Sequence, residues 1–152
     1  MSFSRTIKTK ERAGEFLSNS DDIRRDIFTE GFNLPQQLRE HFSEDMVLEV
    51  TDYLKANNID LGDPHQLEKG LENLYSEVRK MPVVRLNLGI HIPERVVDEI
   101  LLWVQETLGT PALIDYDVDS YLLGGAKITY GGRFGDYTLR KKVDAVNLGS
   151  YR

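Results

Sequence analysis

Carboxylates, imidazoles and glycine-rich turns are the groups in this chain that could do chemistry, and their spacing decides which chemistry is open to them. Asp115-x-Asp117-x-Asp119 has the alternate-residue spacing that begins an EF-hand calcium loop. Such a loop also needs Gly at its sixth position and Glu at its twelfth, where this sequence has Ser120 and Ala126. At strand period the three carboxylates project from one face, and a solvated face is the favoured reading. Gly124-Gly125-Ala126-Lys127 and Gly131-Gly132-Arg133-Phe134-Gly135 have the composition of phosphate cradles. Neither has the Walker A or dinucleotide spacing, and neither opens a helix after a strand. Turn and hairpin glycines account for both.

His41, His65 and His91 fall on a helix, a helix start and a strand, and no two share helical metal-ligand spacing. Cysteine is absent, which removes thiol nucleophiles, disulfides and iron–sulfur or cysteine–zinc sites. A triad can be assembled from residues far apart in sequence, but no G-x-S-x-G nucleophile elbow points to one. No catalytic residue, metal or cofactor is therefore expected, and a small carboxylate enzyme is the remaining catalytic alternative.

The charge pattern narrows the partners. Net charge is −6 over 152 residues, so a wholesale nucleic-acid binder is disfavoured. Residues 1–119 carry −10 and residues 120–152 carry +4. An acidic body with a basic end can steer toward an acidic surface, although solvated helix ends give the same pattern. No apolar leader opens the chain and no apolar run approaches the roughly 20 residues of a membrane span. A soluble, cytoplasmic protein is expected, meeting a membrane only through partners.

The elements that must position these residues follow from periodicity. Residues 5–17 and 21–30 read as two short charged helices, and Pro35 opens another through Phe42. Ser43 is an N-cap for a helix to about Asn57, with Met46, Val47, Val50, Tyr53 and Leu54 on one face and Leu48 outside it. Asp63-Pro64-His65-Gln66 is a capping sequence, followed by the stripe Leu67, Leu71, Leu74, Tyr75, Val78, Met81.

At Pro82 the period changes to two. Val84, Leu86, Leu88, Ile90 and Ile92 predict a half-buried strand. Pro93 opens a helix to Leu108, closed by Gly109, with Val96, Val97, Ile100, Leu101, Trp103, Val104 and Leu108 in a wide apolar arc and Leu102 opposite. Strands over Ala112–Val118 and Ala126–Tyr130 follow. Gly131-Gly132 turns a hairpin into Arg133–Tyr137. Thr138 then caps a basic helix to about Asn147, with a loose tail beyond.

The expected fold class is α+β. A helical region over 1–81 is followed over 82–152 by a β-α-β-β(hairpin)-α module with a small mixed sheet and a C-terminal helix; a boundary near 62 is the alternative. Leu102, Tyr121-Leu122-Leu123, Tyr137 and Tyr151 form a surplus of apolar groups beside the basic residues Arg140 and Lys141. They are a candidate partner surface, or the rim of an incompletely enclosed core.

Val118-Asp119-Ser120-Tyr121-Leu122-Leu123-Gly124-Gly125-Ala126-Lys127-Ile128-Thr129-Tyr130-Gly131-Gly132-Arg133-Phe134-Gly135-Asp136-Tyr137-Thr138-Leu139 resembles the C-terminal signature of the delta subunit family of F-type ATP synthase, the oligomycin-sensitivity-conferring protein of mitochondria. Asp119, Leu122, Leu123, Gly124, Gly125, Asp136, Thr138 and Leu139 fill the signature positions, and Gly131-Gly132 the hairpin turn. Ser120 stands where the family often has Pro, and Tyr137 where it often has Gly. The E subunit of vacuolar and archaeal ATPases has a similar Gly-Gly hairpin. The likeness spans about residues 82–147, and the family's N-terminal helical bundle is longer than the helical part here. It implies a non-catalytic peripheral-stalk subunit that links the catalytic head to the stator helices without a cofactor. A free-standing adaptor or regulatory module built on the same fold is the alternative.

Overall fold

The structure, a computed structural model, describes residues 6–138 together with Arg140 and Asp144. The chain divides at Met81/Pro82 into two compact units, the first helical and the second built on a sheet. Its class is α+β.

The first unit contains α1 (Lys10–Asp26), α2 (Leu34–His41), α3 (Glu44–Ala56) and α4 (Pro64–Arg79). Ser43 stands at the N-cap of α3 without a side-chain capping hydrogen bond, and the other three starts are capped by side chains. Thr9 accepts the Arg12 N–H at 3.2 Å, and Asn33 accepts that of Gln36 at 3.1 Å. Asp63 Oδ1 accepts the N–H groups of His65 and Gln66, so orphan donors of the first turn are satisfied. Gln66 departs from the simple capping box: its amide oxygen takes the Asp60 N–H at 3.1 Å while its nitrogen donates to Asp63 Oδ2. The capping sequence thus fixes the preceding turn as well as the helix.

The buried stripes Met46–Val50–Leu54 on α3 and Leu67–Leu71–Leu74–Val78 on α4 follow the sequence pattern, and Leu48 is exposed. Burying each such side chain contributes roughly 1.5–3 kcal/mol before chain entropy is counted. Phe16 and Phe42 stack with ring centroids 5.4 Å apart. Tyr53 donates to Glu77 at 2.7 Å across α3 and α4. Burial first, then the Glu77 carboxylate, pushes its phenol well above the usual tyrosine range.

One expectation is corrected here. Residues 5–17 and 21–30 do not make two helices; α1 runs unbroken through Ser18–Asp22. Ser20 is buried on its inner face, and Asn19 donates to the His41 carbonyl at 2.8 Å. Side chains that favour turns in isolation are held helical by what they touch.

The second unit is a four-stranded mixed sheet of order β2-β1-β3-β4, from β1 (Val83–Leu88), β2 (Leu113–Val118), β3 (Ala126–Tyr130) and β4 (Arg133–Asp136), with α5 (Glu94–Leu108) between β1 and β2. β1 is parallel to β2 with Leu86 opposite Tyr116, and antiparallel to β3 with Leu86 opposite Ile128. Val84, Leu86 and Leu88 pack with Ala112 and Ile114 against Val97, Leu101 and Val104 of α5. Gly109 ends α5 in the left-handed conformation, as its position predicts.

One further expectation fails in this unit: β1 stops at Leu88 rather than Ile92, and Ile90 is exposed. The apolar arc on α5 is wider than the core can cover: Val97, Leu101 and Val104 are buried, whereas Trp103 is 56% exposed. The terminal helix and tail lie outside the described residues, apart from Arg140 and Asp144, which are helical.

Candidate functional site

The residues singled out between Asp119 and Thr138 meet at one end of the sheet. Just past β2, the Asp119 N–H donates to the Leu88 carbonyl at 2.7 Å. Just past β1, the Gly89 N–H donates to the Gly125 carbonyl at 2.9 Å. Just past β4, the Tyr137 N–H donates to the Ala126 carbonyl at 2.9 Å. Three backbone hydrogen bonds therefore knot the ends of all four strands.

Glycine makes that approach sterically possible. A Cβ on Gly89 would lie 2.2 Å from the Gly124 nitrogen and 2.3 Å from its Cα. A Cβ on Gly125, whose φ is +72°, would lie 2.3 Å from the Tyr137 carbonyl oxygen and 3.0 Å from Thr138 Cα. Segments at 89, 124–125 and 137–138 are thus stacked backbone on backbone, which ends β1 at this point. Gly89 was not among the residues that sequence reasoning selected. Its signal was present, since an isolated glycine in an alternating strand marks a close backbone approach.

Two carboxylates pin the turns beside this crossing. Asp119 Oδ1 accepts the Tyr121 N–H at 3.0 Å and opens a 3-10 turn over Ser120–Leu122. Leu122 closes the turn from inside and is buried, while Leu123 takes a left-handed φ of 62°. For a branched side chain that conformation costs on the order of 1 kcal/mol. Asp136 Oδ1 accepts both the N–H (3.0 Å) and the hydroxyl (2.6 Å) of Thr138, which is 1% exposed. Gly131 and Gly132 both have positive φ, and they join Tyr130 to its partner Arg133 in a two-residue hairpin.

Around the crossing stand exposed aromatics. Tyr121 is 62% exposed with the Arg140 guanidinium 4.3 Å from its ring centroid, and Tyr137 is 71% exposed. Cation–π stacking thus joins the exposed Tyr121 ring to a half-buried Arg140. Leu102 is 60% exposed but stands on α5, apart from the Tyr121–Arg140 stack. Leu139 and Lys141 lie outside the described residues.

The other acidic candidates have local roles. Asp115 pairs with Arg85, its register partner on β1, at 3.0 Å, and Asp119 is the cap described above. Among the described residues no group of three or more His, Asp or Glu side chains is placed to hold a metal. None of the described helices is long and apolar enough to cross a membrane.

No protein-family model matches this chain, and no curated protein matches it. Among solved structures it is similar to a chain of the Toxoplasma gondii mitochondrial ATP synthase hexamer determined by cryo-EM. The two are 14% identical with a TM-score of 0.41, over 93% of this chain and 83% of that one. A likeness of that degree assigns no function to this chain.

Proposed function

We propose that this chain is a non-catalytic peripheral-stalk subunit of a rotary ATP synthase, linking the catalytic head to the stator helices. The observation that carries the reading is the convergence of the signature positions. Asp119, Leu122, Gly124, Gly125, Asp136 and Thr138, which resemble the delta subunit signature in order and spacing, build one crossing around Gly89. A part that resists torque needs a stiff joint rather than a reactive pocket. Backbone stacked on backbone, with both flanking turns capped by carboxylates, has few soft torsions to yield.

The exposed Tyr121 and Tyr137 and the half-buried Arg140 beside that joint are proposed to meet partner helices, because aromatic and arginine side chains are the enriched anchors of protein interfaces. Purification of the tagged full chain under native, low-salt conditions tests the reading. Head and stalk subunits are expected in fixed proportion to it. A monomer, or an unrelated set of partners, would replace the stator assignment with that of a free-standing adaptor.

A further inference from the structure

The turn between α3 and α4 holds a peptide bond unlike any other in the chain. Asp63 is followed by Pro64, whereas the other four prolines follow Leu34, Met81, Ile92 and Thr110. An aspartyl side chain can react with the next peptide group in two ways. In one, the following N–H nitrogen attacks the side chain and closes a succinimide. Proline has no N–H, so that route is shut. In the other, a carboxyl oxygen attacks its own main-chain carbonyl carbon and closes a five-membered anhydride. This second route requires the amide nitrogen to leave with a proton.

The capping geometry of α4 arranges it. Asp63 Oδ1 accepts the His65 N–H at 3.0 Å and the Gln66 N–H at 3.4 Å. These bonds hold the oxygen across the Asp63–Pro64 peptide group, because both donors lie beyond it in the chain. Gln66 Nε2 donates to Oδ2 at 3.2 Å, so both carboxyl oxygens are held. The Asp63 carbonyl oxygen accepts the Leu67 N–H at 2.9 Å. That donor, at the positive end of the helix dipole, is already in place for the charge that attack develops on this oxygen. Asp63 is half-buried, and Gly62, Pro64 and His65 are exposed, so water reaches the bond. His65 follows the leaving nitrogen directly, and its ring rests against the neutral Phe28 ring of α1, with centroids 5.2 Å apart. Asp60, the ionisable group of the preceding turn, accepts the Gly62 N–H at 2.9 Å, and Glu68 and Lys69 stand further along α4.

We infer that the Asp63–Pro64 bond is a self-cleavage site that the folded cap of α4 activates. An Asp63 carboxyl oxygen bonds to the Asp63 carbonyl carbon, and the C–N bond to Pro64 breaks. The Pro64 nitrogen takes a proton from the His65 imidazolium and leaves as a secondary amine. One water then opens the anhydride, giving a free α-carboxyl, restoring the side-chain carboxyl and releasing the proton that recharges His65. The sum is hydrolysis, with one water consumed and no cofactor, oxidant or reductant. The cut separates residues 1–63, which hold α1–α3, from residues 64–152. Nothing in it depends on the stator reading.

The test incubates the full chain in mildly acidic buffer, at about pH 5, where histidine can carry a proton. Circular dichroism follows the fold and mass spectrometry weighs the products. Fragments 1–63 and 64–152 are expected, forming at least about tenfold faster than in the same buffer with denaturing guanidinium, since unfolding abolishes the orientation. Asp63→Asn keeps a good helix cap but removes the nucleophile, and that chain should stay intact. His65→Gln should slow scission by about tenfold or more. Equal or faster scission in guanidinium would reduce the bond to ordinary acid lability and overturn the inference. So would a wild-type chain still intact after a week, the same fragments from Asp63→Asn, or an unchanged rate in His65→Gln.

Discussion

Gly70 and Gly89 occupy crowded places, one in each unit, and a methyl group added at either would collide with something. At Gly70 it would meet the Leu54 Cδ2 at 2.8 Å and the Ile59 Cγ1 at 3.0 Å. At Gly89 it would meet the Gly124 backbone at 2.2 Å. Side-chain tips can rotate aside, whereas a backbone held by hydrogen bonds on both sides cannot. The helical unit is thus assembled from side chains that tolerate adjustment. The sheet unit is closed by main chain that does not.

That contrast is breakable by mutation. The largest effect is expected for Gly89→Ala, which should destabilise the sheet unit by about 3 kcal/mol or more. Hydrogen exchange would show it as lost protection in β1 and β3 with α1–α4 unchanged. Protection that stays at the wild-type level would mean the crossing is soft after all. Gly125→Val should behave alike in a thermal melt, because its φ and the Tyr137 carbonyl both oppose a β-branched side chain.

Asp63→Ala should cost about 1 kcal/mol by removing the cap of α4, measured by chemical denaturation of the helical unit. Gly14→Ala sharpens the comparison from the opposite side. Among the described residues nothing outside its own helix backbone lies within 4 Å of a Cβ added there, so a gain of about 0.5–1 kcal/mol in helix stability is expected. The smallest effect belongs to Gly70→Ala, where the same helical gain is offset by displacing Leu54 and Ile59. A change within about 0.5 kcal/mol of zero is expected. A loss as large as that of Gly89→Ala would erase the distinction between the units.

What the residues announced in advance divides along similar lines. Asp63-Pro64-His65-Gln66 and the stripe behind it specify α4, because cap and period are local properties. Gly131-Gly132 specifies its hairpin for the same reason. The continuity of α1 was not legible, since it depends on the His41 carbonyl and on a buried face for Ser20. Nor was the end of β1, where alternation continues to Ile92 but Gly124 occupies the space a longer strand needs. Trp103 joined the apolar arc by angle alone, and only the width of the sheet beneath α5 decides which part of that arc is covered. At the candidate site, Asp119 and Asp136 announced turns and do cap them. The partner of those turns, Gly89, sits far upstream.

That distance has a kinetic consequence. Hairpin β3–β4 joins neighbours and can form as soon as it exists, but the crossing cannot. Ala126 meets Tyr137 within the hairpin, but Gly89 must wait for Gly125, so a loop of about 36 residues has to close before the crossing can form. During synthesis the helical unit can therefore complete its own packing while β1 is still without its antiparallel neighbour. Until residue 137 has emerged, the knot lacks its third hydrogen bond and the outer edge of the sheet stays open to other chains.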